Sequence, residues 1–400
     1  IIIINIVIAT AYFPPEPVIQ ALISVDIAKE LAKKHNVTVL SPHPSRPHGY
    51  FFPKTIKEKK NPYLLIRLNS FIYTKSNIIG RSIESISLGK AISKYIHKNR
   101  NNIDIVYTTV SPFFAQYFIT KTTKKHNIKL ITHIQDVYPE PITRRIPVFG
   151  NLLFKLALPI DKYIIRNSTK VITIGENIKH YIAKTRKIDE QKFVVVNNWQ
   201  DETRFSKPIT SEIKKDIFTF MFLGNLSPAA NLHFILKCFA EANINNTRLV
   251  FAGSGSLKES LIKHAKQYPN SIIEFWDAPS IEVPKIQFHS DVLLLPLRKS
   301  IALRCFPSKL PAYLLSKRPI LACVEYGSDV ELSIKHADCG WVVEPDDKIG
   351  LVEKFIYLSQ VSKDILIKKG NNGYEYCRNN LTRDVNLKRL VKTIICTAKN

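Results

Sequence analysis

The sequence is poor in the patterns that build metal sites, disulfides and membrane spans. Its six cysteines are scattered, with no Cys-x-x-Cys pair and no spacing that suits zinc. We therefore expect reduced thiols in a cytoplasmic protein. No apolar run reaches the roughly 18–20 residues that a spanning helix needs, so no transmembrane segment is expected. Zinc-finger, RNP-like and basic-zipper patterns are also missing, which argues against a nucleic-acid partner.

Acidic residues are scarce as well. The 400 residues include 58 Lys and Arg against 33 Asp and Glu, a formal net charge of +25. Residues 1–200 hold 30 basic and 12 acidic side chains, whereas residues 201–400 hold 28 and 21. Residues 351–400 alone hold ten basic and four acidic. This asymmetry is typical of a surface that faces a polyanion, such as anionic lipid or polyphosphate, although plain solvation of the lysines is the alternative.

What the sequence has in abundance is the alternation of apolar strands and helical patterns. One series of strands runs from Ile1–Ala9 to Phe193–Asn197, and a second runs from Phe218–Leu223 to Gly340–Val343. Ile/Val/Leu-rich strands separated by helices predict parallel sheets covered on both faces. We predict two doubly wound α/β domains, residues 1–198 and 213–380. A polar linker at 199–212 joins them, and a final helix at 381–400 packs back on the first domain.

The turns that follow the strands carry the chemistry, because ligands of such folds bind at the carboxyl ends of the strands. The turn "ATAYFPPEP" (9–17) contains no glycine, which argues against a dinucleotide-binding oxidoreductase. The turn "FLGNLSPAANL" (222–232) contains Gly224 and Asn225. The turn "FAGSGSLKESL" (251–261) places Gly253, Ser254 and Gly255 between a strand and a helix. Glycine lets backbone N–H groups approach an anion, so these two turns are predicted to cradle phosphate.

Several segments, in order across nearly the whole chain, resemble glycosyltransferase family 4, and more narrowly its colanic-acid, O-antigen and capsule branch. They include "YFPPE", "HIQDVYPE", "VVVNNWQDETRF", "FLGNL", "LVFAGSGSLKESL", "PSKLPAYLLSKRPILA" and "CGWVVEPDD". The resemblance implies the GT-B fold, two Rossmann-like domains facing a cleft. It also implies sugar transfer from a nucleotide diphosphate donor, expected to be UDP-linked, with retention of configuration and without a metal or other cofactor.

The sequence departs from this family at two points. Most members carry two glutamates just before the "RPILA" strand, and the corresponding positions here are Cys305 and Ala312. The arginine and lysine that usually contact the diphosphate correspond to Asn225 and the region of Ala230. We interpret these as features of the branch, and an inactive regulatory copy is the alternative.

A different cation is therefore expected to stabilise the leaving diphosphate. Lys309 and Ser308 open a predicted helix, where ammonium, hydroxyl and backbone N–H groups can converge on phosphate oxygens. Arg304 is the rival cation, and the alternative is that Ser308 merely caps the helix. Asp329, with Glu331, is the candidate for the donor ribose in place of the missing glutamates.

The turn "THIQDVYPEP" (132–141) is assigned to the acceptor side. Asp136 is predicted to orient the acceptor hydroxyl or receive its proton, unless it only caps the next turn. His133 is expected to be packed in the sheet. The other residues assigned to the acceptor side are Pro15, Glu16, Gln135 and Glu140.

The predicted function is a retaining transferase that moves an amino sugar, such as N-acetyl-L-fucosamine, to a lipid-linked saccharide in surface polysaccharide synthesis. A UDP-sugar 2-epimerase of the same fold and a non-catalytic polyanion-binding protein are the alternatives. Residues 51–100 hold eleven basic and two acidic side chains around "PYLLIRLNSFIY" (62–73). We expect this stretch to insert shallowly at the cytoplasmic face of an anionic membrane, unless it is a buried strand or helix.

Overall fold

The structure is a computed structural model that describes residues 2–16, 18–45, 57–60, 62–73, 77–109, 112–135, 137–140, 150–200, 202–205, 217–279 and 282–400. Within these residues the chain forms two compact units. The first combines Ile1–Val196 with Leu387–Asn400, and the second is Asn197–Asn386. The described part of the chain contains no helix with the length and apolarity needed to cross a bilayer.

The first unit is built on an eight-stranded sheet with the order β3-β4-β2-β1-β5-β6-β7-β8. Its strands are β1 Asn5–Thr10, β2 Asn36–Pro42, β3 Lys57–Lys60, β4 Tyr63–Leu68, β5 Ile105–Thr109, β6 Lys129–Ile134, β7 Lys170–Thr173 and β8 Phe193–Val195. Every pairing is parallel except that of β3 with β4. Ile6 and Val7 of β1 are both buried, because consecutive residues of a central parallel strand face helices on opposite sides of the sheet.

Within the described residues, five helices lie between the strands of this sheet along the chain. They are α1 Ile19–Ala32, α2 Ile78–Lys98, α3 Phe113–Lys125, α4 Gly150–Asn167 and α5 Glu176–Arg186. Helix α3 packs against α2 on one side and α4 on the other. Gly89 allows the first contact, since a Cβ there would lie 2.7 Å from the Ala115 Cα. In α4 only Gly150, Asp161, Ile164 and Ile165 are buried, so its first half is largely exposed.

The prediction that 62–73 inserts into a membrane is wrong for Tyr63–Leu68, where the structure contains the alternative, a strand, whereas Phe71 beyond the strand is 48% exposed. Residues Tyr63–Leu68 form β4, which pairs with β2 and with β3. Tyr63 and Leu65 are buried in the unit. Their apolar surface already packs against protein and is not available to lipid.

The second unit contains a six-stranded, all-parallel sheet with the order β11-β10-β9-β12-β13-β14. The strands are β9 Phe218–Leu223, β10 Thr247–Ala252, β11 Ile272–Trp276, β12 Val292–Pro296, β13 Ile320–Cys323 and β14 Gly340–Val343. The helices are α6 Leu232–Ala242, α7 Lys258–Ala265, α8 Val283–Phe288, α9 Lys309–Leu315, α10 Asp329–Ala337, α11 Lys348–Ser359 and α12 Lys363–Asn380. The last helix, α13 Arg383–Lys399, belongs to the first unit from Leu387 onward. The predicted class, two doubly wound α/β units, is confirmed.

Candidate functional site

The two glycine turns of the second unit meet at the carboxyl edge of its sheet. Gly224 follows β9 and Gly253 follows the neighbouring β10, with φ of +137° and +133°. Residues with a Cβ rarely adopt this backbone conformation, so these positions favour glycine. A Cβ on Gly253 would also overlap the Gly224 carbonyl oxygen. Glycine is therefore needed here both for conformation and for the close approach of the two turns.

The same edge presents backbone N–H groups to the outside. The Leu226 N–H donates to the Ser254 carbonyl at 2.8 Å, which ties the two turns together. The Asn225 Oδ1 would lie 2.6 Å from a Cβ on Gly255. Asn225, Ser254 and Gly255 are exposed, and within the described residues their backbone N–H groups have no protein acceptor. Such converging N–H groups bind anions.

Lys309, the first residue of α9, lies directly on the Gly224 turn. A Cβ on Gly224 would overlap the Lys309 Cε, and the Lys309 Nζ lies 4.7 Å from the centroid of the Phe222 ring. One turn further along α9, the Tyr313 hydroxyl accepts from the Leu223 N–H at 3.0 Å and donates to the Leu223 carbonyl at 2.9 Å. These bonds hold α9, and with it Lys309, on the end of β9.

The ammonium group of Lys309 has no counter-charge in the described part of the chain. Burial lowers the pKa of Lys309, and the Cys305 thiol nearby opposes that shift only in part. A largely buried cation without an anionic partner is unfavourable. An incoming phosphate would supply the missing charge, so the arrangement fits a diphosphate.

The other residues predicted for the donor side are less directly placed. Ser308 is exposed and occupies the N-cap position of α9, as the alternative expected, but its side chain makes no capping hydrogen bond within the described residues. The Ser308 carbonyl instead accepts from the Gln200 amide at 3.0 Å. Arg304 ends a short 3-10 turn, Ala302–Arg304, and is half-buried.

The carboxylates of α10 are buried. The Glu331 Oε2 accepts from the Gly327 N–H at 3.2 Å, and the Glu331 Oε1 lies 2.5 Å from the Lys335 Nζ. Both oxygens of Glu331 are thus engaged in holding the start of the helix. Asp329 is buried in the first turn of α10. Sequence reasoning passed over Glu325, which accepts from the Ser300 N–H through Oε1 and has an Oε2 that is buried without a partner among the described residues.

The first unit contains a cavity of about 630 Å³ at the carboxyl end of β6. Gln135 and His133 line it. The His133 Nδ1 lies 2.7 Å from the Tyr107 hydroxyl, and the Gln135 Nε2 lies 3.1 Å from the His133 Nε2. Burial lowers the pKa of His133 to about 3, so the ring is neutral near pH 7. His133 is packed as expected, and Gln135 faces the cavity.

Glu16, assigned to the acceptor side, is turned inward in this structure. Its Oε2 accepts from the Phe13 N–H at 3.2 Å and its Oε1 accepts from the Ser45 N–H at 2.9 Å. The buried carboxylate therefore joins the turn after β1 to the segment after β2. Pro15 is exposed on that turn. Asp136, the predicted catalytic carboxylate, lies outside the described residues.

Glu140 belongs to a buried ion network. It accepts two hydrogen bonds from the Arg186 guanidinium, at 2.7 and 2.9 Å, and one from the Tyr181 hydroxyl at 2.8 Å. Burial raises the pKa of Glu140, but the bonds and charge of Arg186 outweigh burial, so the net shift is downward. The Arg186 Nε also donates to the Asp161 Oδ2 at 2.7 Å. Both carboxylates are paired, as buried charges must be.

Sequence reasoning missed Asp161, which lines the cavity from α4. Burial raises the pKa of Asp161 to about 6, against the attraction of Arg186. One signal was present in the sequence, because Asp161 lies three and four residues before Ile164 and Ile165. That spacing puts it on the apolar face of an amphipathic helix, where a charge needs a partner or a function.

Family models match both halves of the chain. Residues 23–204 match the model described as Glycosyltransferase Family 4. Residues 200–372 match the model described as Glycosyl transferases group 1. Together the two models span most of the chain, and they meet where the first unit passes into the second.

Known proteins agree with these models. The probable glycosyltransferase WbjE of Pseudomonas aeruginosa is 21% identical over 286 residues, which cover 69% of this chain and 71% of WbjE. Sucrose-phosphate synthase of Thermosynechococcus elongatus superposes with a TM-score of 0.75 at 12% identity over 98% of both chains. Anabaena HepE, solved with UDP, superposes with a TM-score of 0.68 at 12% identity, over 98% of this chain and 100% of HepE. The fold is GT-B.

Proposed function

This chain is a family 4 glycosyltransferase, and from that premise we propose that its second unit binds the nucleotide diphosphate of the donor while its first unit binds the acceptor. The observation that carries the proposal is Lys309, a largely buried ammonium that lies on the Gly224 turn and has no counter-charge among the described residues. The exposed N–H groups of Asn225, Ser254 and Gly255 lie on the two joined turns of the same edge. Cation and N–H donors together suit a diphosphate.

In the proposed reaction the bond between the sugar C1 and the diphosphate oxygen breaks, and its electron pair stays on the diphosphate. A new bond forms between C1 and the acceptor oxygen, whose proton is lost, and configuration is retained. Lys309 stabilises the charge that grows on the leaving diphosphate. Asp136 is proposed to hold the acceptor hydroxyl and receive its proton. A UDP-linked donor is proposed because HepE, which shares the fold, was solved with UDP.

We further propose that the acceptor is a lipid-linked saccharide of surface polysaccharide synthesis and that the transferred sugar is an amino sugar. The protein then works as a peripheral protein on an anionic membrane at the cytoplasmic face. Two exposed apolar patches support this: Ile79 and Ile83 on α2 are 75% and 50% exposed, and Leu152 and Leu156 on α4 are 56% and 62% exposed. The excess of basic over acidic residues in the first half of the chain favours anionic lipid.

The test is a screen of nucleotide sugars against a short-chain lipid-diphosphate saccharide, read by mass spectrometry. Transfer should add one sugar to the acceptor and release nucleoside diphosphate. Lys309→Ala should lower kcat/KM by a factor that corresponds to about 2–4 kcal/mol of lost transition-state stabilisation, the effect of losing a preorganised charge at a leaving group. Lys263→Ala, an exposed lysine of α7, is the matched control and should keep full activity.

Two outcomes would contradict the proposal. Near-normal turnover of the Lys309 variant would mean that Arg304 or the backbone N–H groups, and not Lys309, stabilise the leaving diphosphate. An epimerised nucleotide sugar, formed without any change in the acceptor, would mean the epimerase alternative.

A further inference from the structure

We propose that the cavity of the first unit binds a neutral sugar of the acceptor, with Asp161 accepting a hydrogen bond from it and Gln116 donating one to it. Arg186 and Glu140 act as positioning residues that hold the Asp161 carboxylate. This inference rests on the proposed function, because it takes the acceptor to be a saccharide. It adds the residues that select the sugar and the class of sugar that they accept.

The first step concerns the hydrogen bonds of Arg186, whose five N–H donors are all used. Its Nε donates to the Asp161 Oδ2. Its Nη1 donates to the Glu140 Oε1 and the Thr185 hydroxyl, and its Nη2 donates to the Glu140 Oε2 and the Tyr138 carbonyl. A guanidinium has five donors and no more. Arg186 therefore fixes one Asp161 oxygen and cannot serve the other.

The second step concerns the remaining oxygen of Asp161. Its Oδ1 has no hydrogen-bond partner in the described part of the chain, and the residue lines the cavity. The neighbouring walls include Phe113, Ile164 and Ile165, which offer no donor. This oxygen is therefore available to a donor that enters the cavity, and a hydrogen bond to a charged group is stronger than one between neutral groups. The elevated pKa of Asp161, about 6, agrees with that environment.

The third step concerns a hydrogen-bond donor in the same cavity, the side-chain amide of Gln116. Gln116 of α3 lines the same cavity, and its Oε1 accepts from the Thr108 hydroxyl at 3.0 Å. This bond orients the amide so that its Nε2 is left for a ligand, since no described protein group accepts from it. The cavity thus presents one strong acceptor and one donor. Neighbouring sugar hydroxyls, each able to donate and accept, match such a pair.

The fourth step concerns the class of sugar. Phe113, Phe114 and Tyr138 supply aromatic wall, against which the C–H face of a pyranose packs. A cavity of about 630 Å³ falls within the usual range for small ligands. Asp161 and Glu84 line it, and each is paired with an arginine, Arg186 or Arg81. A uronic acid or a sugar phosphate would therefore bring in a charge without a free counter-charge on the wall, which is unfavourable. The sugar is therefore neutral, and an acetamido or deoxy substituent would suit the apolar walls.

The experiment measures binding of simple glycosides to the full chain by saturation-transfer NMR. The probes are octyl N-acetyl-β-glucosaminide, octyl β-glucuronide and a sugar-free octyl polyethylene glycol ether. The neutral glycoside should bind at least tenfold more tightly than the other two. Asp161→Asn should weaken it at least tenfold, whereas Glu176→Gln, which removes an exposed carboxylate of the same unit, should leave it unchanged.

The pH profile separates a direct contact from a merely structural role. Binding should weaken as the pH falls from 7 to 5, since Asp161 is protonated below about pH 6. The profile of Asp161→Asn should be flat over that range. The other charged or titratable groups around Asp161 are Arg186, Glu140, Arg81, Glu84 and His133. His133 stays neutral down to about pH 3 and does not contribute.

Equal binding of the sugar-free ether would overturn the inference and would mean that the cavity binds lipid. Unchanged binding of the glycoside by Asp161→Asn would also overturn the inference. If that variant fails to fold, Gln116→Leu takes its place and should weaken the glycoside at least fivefold. Calorimetry with UDP distinguishes the two proposals. A chain that binds the glycoside but no UDP contradicts the proposed donor site and leaves Asp161 supported.

Discussion

At the scale of single residues, the contact between Gly224 and Lys309 makes a sharp prediction for donor binding. Gly224→Ala would put a methyl group where the Lys309 Cε lies, so the ammonium has to move away from the two turns. We expect UDP affinity, measured by calorimetry, to fall at least tenfold, about 1.4 kcal/mol or more.

Gly327→Ala is the matched control for that experiment. Gly327 also has a positive φ, +78°, but a Cβ there would meet no described atom within 4 Å. The substitution therefore imposes backbone strain of about 1 kcal/mol without a collision. UDP affinity should stay within about twofold, and an equal loss in both variants would mean that strain, and not the position of Lys309, controls binding.

His133 makes a second prediction at this scale. Because burial lowers its pKa to about 3, its ring should remain neutral at pH 5. Long-range ¹H–¹⁵N spectra of histidine-labelled protein report this directly, and His133→Gln identifies the signal.

The same shift has a consequence for stability. The folded pKa of His133 lies below the unfolded value of about 6.5, so its contribution to stability is present above pH 6.5 and is lost as the pH falls towards 3. The free energy of unfolding should fall by roughly 1.4 kcal/mol per pH unit from this residue within that window. A ring that titrates near pH 6 would contradict the packed, neutral state.

Local sequence predicted the glycine turns and the helix that begins at Lys309, because both follow from the pattern of strand, turn and helix. It did not predict how Glu16 and Glu140 are used. The Glu16 carboxylate binds the Ser45 N–H, and Glu140 binds Arg186, 46 residues away. Local pattern carries no information about such partners. Asp161 was missed for the same reason, since its role comes from Arg186.

At the scale of elements, two strands of the second series were predicted closely. Phe218–Leu223, a central strand, and Gly340–Val343, an edge strand, match the structure residue for residue. The assignment of 62–73 failed because an edge hairpin such as β3-β4 alternates buried and half-buried residues, which also suits a surface stretch. Sequence periodicity indicates a strand, but it does not show whether other parts of the protein cover both faces of that strand.

The docking of α9 gives a prediction at this scale. Tyr313→Phe removes the hydroxyl that satisfies both the N–H and the carbonyl of Leu223 in a fully buried site. Leaving these groups unpaired should cost about 1–3 kcal/mol. The three tryptophans, Trp199, Trp276 and Trp341, all lie in the second unit, so tryptophan fluorescence during urea unfolding reports on that unit.

The control for this substitution is Tyr357→Phe. The Tyr357 ring is half-exposed and lies 6.4 Å from the Trp341 ring, and no hydrogen bond of its hydroxyl is found in the described residues. Its urea midpoint should equal that of the wild type. A Tyr313→Phe midpoint as high as the control would mean that the hydroxyl does not hold α9 on β9.

At the scale of the whole molecule, charge and exposed apolar surface concentrate in the same half of the chain. Residues 1–200 carry 30 basic and 12 acidic side chains, and the apolar patches of α2 and α4 fall within them. Helix α3 packs against both of these helices. Sequence reasoning found the charge, but it placed the apolar contact at 62–73, where Tyr63 and Leu65 are buried.

The proposed membrane surface therefore consists of Ile79 and Ile83 on α2 with Leu152 and Leu156 on α4. In liposome sedimentation the wild type should bind vesicles that contain anionic lipid. Binding should weaken strongly between 0.1 and 0.5 M salt, because the screening length shortens from about 10 Å to less than half of that. In the test variant all four residues are changed to Ser. Burial of each original side chain in the membrane contributes about 1 kcal/mol or more to binding, so the vesicle affinity of the variant should fall at least tenfold.

Ile349→Ser with Ile367→Ser provides the control, since these residues are 71% and 55% exposed in the second unit. This variant should bind vesicles as the wild type does.

Equal partitioning of the wild type onto neutral and anionic vesicles would contradict the electrostatic part of the proposal. Unchanged binding of the fourfold variant would contradict the apolar part. Loss of binding in both variants would mean that exposed apolar residues act without regard to position. A loss confined to the α2 and α4 variant would assign the contact to these two helices, because the net charge is the same in both proteins.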